Sequence, residues 1–228
     1  MTDDAAPGSA VLCSGGLDSV VLLASVACEE RVLPIYVSAG LAWEAEERAA
    51  LGRILEARPF VSRVAPLATL ELTARDLYPP GHWAIEGRPP AYDTDDSEVY
   101  LPGRNLLLLA KAAVFCAASS IHRLLIGPLA GNPFPDATPA FFAAMARASS
   151  LGLAFDLRID APFLGMHKSE VMRMGERLGV RLEMTVSCMA PEPGGVHCGR
   201  CSKCRERRDA FKEAGVADRT VYQSTAPR

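Results

Sequence analysis

The chain has 228 residues, of which 49% are hydrophobic, and a formal net charge of −3. This length and composition suit one large domain with a substantial core, or one domain with a small appendage. Because no apolar run reaches the roughly 18 residues that span a bilayer, we expect no membrane segment. The acidic stretch 1–9 is unlike a signal peptide, so a cytoplasmic protein is expected. Nucleic acid is a disfavoured partner, since binding it usually requires a strongly basic face.

The first 65 residues alternate between short apolar runs and longer amphipathic runs. Apolar, β-branched runs predict strands, and charged residues at helical spacing predict helices on an outer face. The predicted order is strand 10–14, helix 18–28, strand 32–38, helix 43–58 and strand 60–65. Two successive strand–helix–strand units are typical of an open, twisted parallel sheet with helices on both faces. The sequence therefore predicts an α/β fold.

The rest of the chain interrupts this alternation. Prolines, glycines and acidic residues make 67–103 a long irregular segment, which is typical of a lid or a binding loop. The later predicted elements are helix 105–119, strand 123–127, loop 131–139, helix 139–150, strand 155–161, helix 167–178 and helix 203–214. We interpret 1–186 as an α/β domain and 187–228 as a C-terminal segment. Ligands of such sheets bind at the carboxyl ends of the strands, where we expect loops 14–19, 38–40, 66–105 and 127–136 to meet.

The most informative string is Ser-Gly-Gly-Leu-Asp-Ser at 14–19, between the first predicted strand and helix. Its glycines let backbone N–H groups approach an anion closely, and the helix N-terminus adds partial positive charge. Ser14 and Ser19 add hydroxyl donors, whereas Asp18 is suited to capping the helix or holding Mg²⁺. The alternative is a capped helix after an ordinary turn. The string resembles the pyrophosphate-binding loop of the N-type ATP pyrophosphatases, which split ATP between its α and β phosphates.

Four of the seven cysteines crowd the C-terminal part, at Cys188, Cys198, Cys201 and Cys204. In a chain without a secretory signal, this density indicates a metal site rather than disulfides. Four thiolates suit tetrahedral Zn²⁺, and we favour zinc over an iron–sulfur cluster because the ligands lie on one short knuckle beside a helix. A four-thiolate shell has no open position, so the predicted zinc is structural. Free thiols and replacement of one ligand by His197 are the alternatives.

Basic residues lie next to these cysteines, at Arg200, Lys203, Arg205, Arg207 and Arg208. The helix predicted at 203–214 carries four of these five side chains. Because the chain as a whole is negatively charged, we interpret the cluster as a solvated helix face rather than a nucleic-acid site.

Three further strings make the resemblance specific. They are Leu-Pro-Gly-Arg-Asn at 101–105, Phe-Leu-Gly-Met-His-Lys-Ser-Glu at 163–170, and the cysteine tail from Cys188 to Arg208. In this order, and with the loop at 14–19, they resemble the 7-cyano-7-deazaguanine synthase family over nearly the whole chain. The resemblance implies a fold like that of the adenine nucleotide alpha hydrolases, a small four-cysteine zinc knuckle and a homodimer.

The resemblance also implies an activity. The family uses ATP and Mg²⁺ to activate the carboxylate of 7-carboxy-7-deazaguanine, and ammonia attacks the activated acid to give an amide. A second ATP-driven step dehydrates the amide to the nitrile, which is a precursor of modified guanines such as queuosine. The implied partners of this chain are therefore ATP, a deazaguanine-like carboxylate and ammonia.

The residues that match the family's motifs imply the site. The implied catalytic residues are Ser14, Asp18, Arg104 and Lys168. The implied ATP-binding residues are Ser14, Gly15, Gly16, Leu17, Asp18, Ser19, Arg104 and Asn105. The implied substrate contacts are Asn132 and Asp136, and the implied zinc ligands are Cys188, Cys198, Cys201 and Cys204. Arg104 can make paired hydrogen bonds to phosphate or carboxylate, and Lys168 can reach phosphate as a point charge. The alternatives are an ion pair of Arg104 with the acidic run 93–96, a surface lysine at 168 and a turn aspartate at 136.

Two segments depart from the family's pattern. The stretch 131–139 keeps Pro-Asp but lacks the cysteine and arginine that follow it in the family, and 39–44 lacks a Gln-Arg-His-like patch. One alternative function is therefore a relative that stops at the amide, or that joins the activated acid to another amine. A tRNA-thiolating ATP pyrophosphatase and a non-catalytic nucleotide sensor are further alternatives.

Overall fold

The computed structural model describes residues 6–60 and 62–224. Five strands form one sheet in which every neighbouring pair is parallel. The strand order is β3-β2-β1-β4-β5, with β1 at Ser9–Leu12, β2 at Val32–Ser38, β3 at Ala68–Glu71, β4 at Arg123–Leu125 and β5 at Arg158–Asp160. The predicted α/β fold with an open parallel sheet is confirmed.

The central strand β1 explains why the sheet is covered on both faces. All four of its residues are buried, as expected of a parallel strand with helices above and below. Because side chains alternate along a strand, Val11 packs into one apolar core while Ala10 and Leu12 pack into the other.

Helices supply the outer halves of these two cores. The bounds are α1 Leu17–Glu29, α2 Glu44–Leu55, α3 Trp83–Glu86, α4 Arg104–Ala118, α5 Pro139–Leu153, α6 Lys168–Arg177 and α7 Ser202–Ala214. Helices α1, α2, α6 and α7 contribute to the first core, and α4 and α5 contribute to the second. The six helices predicted from sequence are confirmed, with ends that differ by no more than three residues. No helix among the described residues is both long and apolar enough to cross a membrane.

The strand predicted at 60–65 is wrong. Val64 makes a single bridge to Val32, and the strand that pairs with β2 is Ala68–Glu71, in register with Ile35–Ser38. The apolar residues of this stretch are explained by packing in the core and not by a strand. The side chain of Phe60, which is 1% exposed, packs into the first core. Val61, inside the predicted strand, lies outside the described residues.

The segment 67–103 is better ordered than its composition predicts. It contains β3, α3 and a 3₁₀ turn at Asp96–Val99. Trp83 of α3 stacks on Trp43, with ring centroids 5.7 Å apart. From the far side, Arg205 donates hydrogen bonds to the carbonyl oxygens of Tyr92 and Thr94 at 2.7 and 3.0 Å. The segment is thereby held over the carboxyl edge of the sheet.

The division at 186/187 stays a prediction. The described part of the second unit consists of a loop with the four cysteines and helix α7, whose Ala210 and Phe211 pack into the first core. Residues 1–5, which belong to the predicted N-terminal stretch and first domain, and residues 225–228 of the predicted second domain lie outside the described residues.

Candidate active site

Two adjoining clefts lie at the carboxyl edge of the sheet, beside β1 and β4. The chain leaves these neighbouring strands in opposite directions, so the loops that follow them separate and leave a crevice. Two adjoining cavities of about 280 and 410 Å³ fill the crevice. Both are lined by Ser14, Gly16, Asp18, Glu47, Arg104 and Asn132. The loops after β1, β2 and β4 and the segment before α4 all contribute to this cleft.

The loop 14–19 is a tight glycine turn held by its own hydroxyl groups. Gly15 has φ +83°, and a Cβ there would lie 2.7 Å from the carbonyl oxygen of Glu47, so only glycine fits. Ser14 Oγ accepts a hydrogen bond from the Gly16 N–H at 3.2 Å, and Ser19 Oγ donates to the Gly16 carbonyl oxygen at 2.9 Å. Helix α1 starts here without a capping side chain. Its first N–H groups therefore have no intrahelical acceptor and suit an anion.

Lys168, in the first turn of α6, joins this loop to α7. Its Nζ lies 3.0 Å from Asp18 Oδ2 and 2.7 Å from Glu206 Oε1, and its side chain is 18% exposed. Burial alone would lower the pKa of Lys168, but the carboxylates of Asp18 and Glu206 outweigh burial and raise it. Lys168 is thus a fixed cation inside the cleft, and the surface alternative is wrong. The capping role for Asp18 is also wrong, because its carboxylate pairs with Lys168 instead.

The carboxylates around Lys168 differ in how fully they are bound. Burial favours the neutral acid of Glu206, but Lys168 and Lys203 outweigh burial and lower its pKa to about 2. Asp18 keeps one oxygen, Oδ1, that is buried and has no hydrogen-bond partner among the described residues. A buried carboxylate oxygen without a partner is costly unless a cation or a donor binds it. Asp18 therefore fits the predicted role of a Mg²⁺ ligand.

Arg104 begins α4 and faces the cleft beside α2. Its Nε is buried and has no hydrogen-bond partner within the described part of the chain. The guanidinium acts on Glu47, whose pKa it lowers, although burial outweighs it and raises the pKa of Glu47 to about 8. The alternative of an ion pair between Arg104 and the acidic run 93–96 finds no support. The arginine that contacts this segment is Arg205, which donates to backbone carbonyl oxygens there.

Two acidic residues of α2 line the same cleft. Glu44 is fully engaged, since it accepts hydrogen bonds from Ser38 Oγ at 2.6 Å and from the N–H groups of Ala39 and Gly40 at 2.8 and 3.2 Å. It thereby fixes the loop after β2. Glu47 is 8% exposed and accepts one hydrogen bond, from the Tyr36 hydroxyl to Oε2 at 3.1 Å.

The predicted substrate residues lie on the opposite wall. Asp136 is 6% exposed, and its Oδ2 accepts a hydrogen bond from the Asn105 N–H at 3.0 Å, while Asn105 Nδ2 donates to the Asp136 carbonyl oxygen at 3.0 Å. Asp136 therefore caps the N-terminus of α4 from another segment rather than sitting in a simple exposed turn. Asn132 accepts a hydrogen bond from the Phe134 N–H at 2.9 Å and lines both cavities.

Aromatic rings form much of the remaining wall. Phe134 stacks on Tyr100 with ring centroids 4.9 Å apart, and the Trp43–Trp83 pair lines the larger cavity. Flat aromatic surfaces of this kind favour a planar ligand.

The four cysteines form one compact group at the end of the larger cavity. Cys188, Cys198, Cys201 and Cys204 are all buried, and their sulfur atoms lie within 4.8 Å of one another. Tetrahedral zinc with about 2.3 Å bonds holds its sulfurs roughly 3.8 Å apart, which matches this group. The thiolates of a four-cysteine iron–sulfur cluster are shared among two or four iron atoms, so the four sulfurs as a set spread farther apart than around one ion. The geometry is therefore that of a single structural metal ion such as zinc. The four thiols complete the set without His197.

Cys188 shows how the backbone supports these sulfurs. Its Sγ accepts hydrogen bonds from the N–H groups of Ala190 and Cys198 at 3.4 and 3.3 Å. Such bonds stabilise negative charge on a thiolate and orient it for a metal.

The basic cluster beside the knuckle is not a solvated face, so this expectation is wrong. Arg207 has 0% exposure and donates to Thr185 Oγ1, Ser187 Oγ, Thr220 Oγ1 and the Leu182 carbonyl oxygen at 2.6 to 3.0 Å. Arg208 donates to the carbonyl oxygens of Gly199 and Ser224. These side chains bind the knuckle to its surroundings.

The fold and the site together define an α/β protein with a phosphate-type loop, a buried lysine and a four-cysteine metal knuckle around one cleft. Comparison with known proteins is consistent with this class. The family described as queuosine biosynthesis protein QueC matches residues 9–215, and the chain belongs to that family.

Its relatives cover almost all of its length. A 7-cyano-7-deazaguanine synthase of Methanopyrus kandleri is 36% identical, over 93% of this chain and 97% of that protein. Proteins of the same name from Solidesulfovibrio magneticus and an Azoarcus species are 34% and 32% identical, over 98% of this chain and 99% and 100% of their own lengths. The family resemblance drawn from the motifs is confirmed.

Sequence reasoning missed Glu44, Glu47, Tyr36 and Glu206. A signal for the first two was present, since Glu44 and Glu47 share the helical stripe of the buried residues Ala50, Leu51 and Ile54. Acidic residues on the buried face of a helix are unusual unless they have partners or a function.

Proposed function

We propose that the chain is an ATP-dependent ligase that adenylylates the carboxylate of 7-carboxy-7-deazaguanine, converts it with ammonia to the amide and then dehydrates the amide to 7-cyano-7-deazaguanine. The supporting observation is that one cleft joins the loop 14–19, Arg104 and Lys168 to an aromatic wall. The names of the relatives supply the product, since all three are 7-cyano-7-deazaguanine synthases.

The first step suits the charges on one side of the cleft. A carboxylate is a poor electrophile because its oxygen is a poor leaving group, and attack of that oxygen on the α phosphorus of ATP gives a mixed anhydride and pyrophosphate. Negative charge develops on the phosphate oxygens during this attack. The free N–H groups that begin α1, the cation of Lys168 and the guanidinium of Arg104 would stabilise that charge. Asp18 would hold Mg²⁺, which supplies further positive charge to the phosphates.

The second step needs a planar acid held next to an amine. Phe134 and Tyr100 would contact the flat face of the deazaguanine ring. Asn132 and the remaining oxygen of Asp136 would accept or donate hydrogen bonds at the ring edge. The zinc knuckle would remain structural, since its four sulfurs leave no open coordination position.

Product mass tests this proposal directly. Purified protein is incubated with ATP, Mg²⁺, ammonium and 7-carboxy-7-deazaguanine, and the products are separated and weighed by mass spectrometry. We expect AMP, pyrophosphate and the nitrile. An amide that accumulates without nitrile, or a heavier conjugate with an added amine, would support the alternative amine or product. Absence of acid-dependent pyrophosphate release would contradict the ligase altogether and favour a nucleotide sensor.

A further inference from the structure

Glu47 lines the cleft with one carboxyl oxygen that accepts no hydrogen bond from the described residues, a property that it shares with Asp18 and Asp136. Five acidic residues line the two cavities: Asp18, Glu44, Glu47, Asp136 and Glu206. Asp18 and Glu206 are paired with Lys168, Glu44 accepts three hydrogen bonds, and Asp136 caps α4. Glu47 accepts a single hydrogen bond at Oε2, so its Oε1 is available to a group in the cleft.

The position of Glu47 is fixed from both sides. Its carbonyl oxygen lies against Gly15, where an added Cβ would be 2.7 Å away, so the residue is held next to the phosphate-type loop. The Tyr36 hydroxyl holds the carboxyl group from β2. The same two cavities that Glu47 lines also contain Arg104 and the loop residues Ser14 and Gly16. Glu47 thus lines the space in which an activated acid and its nucleophile would meet.

The charges around Glu47 suit proton transfer. Burial raises the pKa of Glu47 to about 8, against the opposing effects of Arg104 and of the Tyr36 hydrogen bond, and Glu44 raises it further. Glu47 also acts electrostatically on the thiol of Cys13, whose own pKa burial raises to about 11. A carboxylate that holds a proton this firmly is a much better base than an ordinary glutamate and still exchanges protons near neutral pH.

We propose that Glu47 is the general base that takes a proton from the amine as it attacks the acyl adenylate. This inference rests on the proposed function. The nitrogen forms a bond to the carboxyl carbon, the bond between that carbon and the bridging oxygen breaks, and the electron pair leaves with AMP. One proton of the nitrogen moves to Glu47 Oε1. No oxidant or further reactant is needed.

The test separates activation of the acid from attack by the amine. In Glu47→Gln, the amide oxygen can still accept from Tyr36, so the fold is preserved, but the side chain cannot accept a proton. Exchange of labelled pyrophosphate into ATP, with the acid and without amine, reports activation and should match the parent. Amide formation with ammonium should fall by at least about 100-fold, which is the lower range for general base catalysis.

Hydroxylamine provides a second readout. Its conjugate acid is far stronger than ammonium, so it is largely neutral at neutral pH and needs less help from a base. Hydroxamate formation should therefore fall much less than amide formation in Glu47→Gln. Glu56→Gln, exposed at the end of the same helix, is the matched control and should behave as the parent in every assay.

The pH profile gives a third readout. The ratio of parent to Glu47→Gln rates with ammonium should rise with pH through about 8, as Glu47 loses its proton. In Tyr36→Phe, loss of the hydrogen bond that lowers the pKa of Glu47 should move this rise to higher pH.

The outcomes are distinct. Equal losses of exchange and amide formation, equal losses with both nucleophiles, or no loss at all would overturn the role of Glu47 while leaving the ligase in place. If the parent shows no acid-dependent exchange, the proposed function itself fails.

Discussion

The two sides of the cleft are held by different kinds of contacts. On the phosphate side, the backbone of the loop 14–19 packs closely, because Gly15 lies against the Glu47 carbonyl oxygen at φ +83° and its own carbonyl oxygen accepts from the Val186 N–H at 3.0 Å. On the opposite side, 131–139 is held by side chains, such as those of Asn132 and Asp136, in addition to backbone bonds. A backbone-fixed turn tolerates few changes of sequence, whereas a side-chain-held loop can be rebuilt. This difference agrees with the sequence, which keeps the family's string at 14–19 and departs from the family's pattern at 131–139.

The largest effect should come from removing a metal ligand, which weakens the support shared by both sides. Cys201→Ser should lower the melting temperature and the zinc content together, because structural zinc contributes on the order of 10 kcal/mol in small zinc domains. Calorimetry and metal analysis of the same sample measure both. Cys28→Ser changes an exposed thiol and should alter neither. Full stability of Cys201→Ser without bound metal would contradict the structural role.

The phosphate side should be sensitive to the loss of a single carboxylate. Asp18→Ala removes the partner of Lys168 and the unpaired buried oxygen, so pyrophosphate release should fall by at least about 100-fold. Circular dichroism should show an intact fold. Asp209→Ala, on the exposed side of α7, serves as the control. Turnover that survives in Asp18→Ala would argue against the assigned loop.

The free energy of unfolding of the protein should depend on pH because of Glu47. Its pKa is raised from 4.5 to about 8 in the folded chain, so the folded state holds this proton more tightly than the unfolded state. The stabilisation is fully present below about 4.5 and is lost as pH rises through about 8, by an amount of the order of a few kcal/mol. Denaturant unfolding at a series of pH values should show this decline, and Glu47→Gln should flatten it. An identical decline in both proteins would assign the effect to other groups.

The smallest expected effect is a loss of stability on substitution of Asp136, at the predicted substrate side of the cleft. Asp136→Ala removes the acceptor for the Asn105 N–H at the start of α4, which should cost about 1–2 kcal/mol. Asp136→Asn keeps an acceptor and should recover much of this loss, as measured by urea unfolding. If Asp136→Asn folds normally but the Michaelis constant for the acid rises, Asp136 also contacts the substrate. An Asp136→Ala protein as stable as its parent would show that the cap contributes little.

The fold was largely predictable because its core strands and helices have strong periodic patterns. The string at 14–19 and the cysteine spacing predicted local geometry, since a glycine turn and a metal knuckle are determined mostly by nearby residues. The third strand was not predictable, because Phe60 and Val64 are more apolar than the real edge strand Ala68–Glu71. An edge strand is only half covered, so its apolar signal is weak.

The site was predictable only where one segment carries it. Lys168 was identified, but its partners Asp18 and Glu206 come from helices 150 and 38 residues away in sequence. Arg207 was predicted to be solvated because it lies in a charged run. Its four acceptors come from other segments, so the local sequence does not indicate them. Such pairings depend on packing between distant helices, which no local pattern reports.

The burial of Arg207 has a consequence for the neighbouring knuckle. Four thiolates around one Zn²⁺ leave two excess negative charges in a dry interior, and such charge is expensive without compensation. Arg207 follows Cys204 by three residues, and the hydrogen-bond acceptors around its guanidinium among the described residues are all uncharged. The helix turn that supplies Cys204 to the predicted metal centre therefore also places a buried positive charge near it, which would offset part of the negative charge of four thiolates.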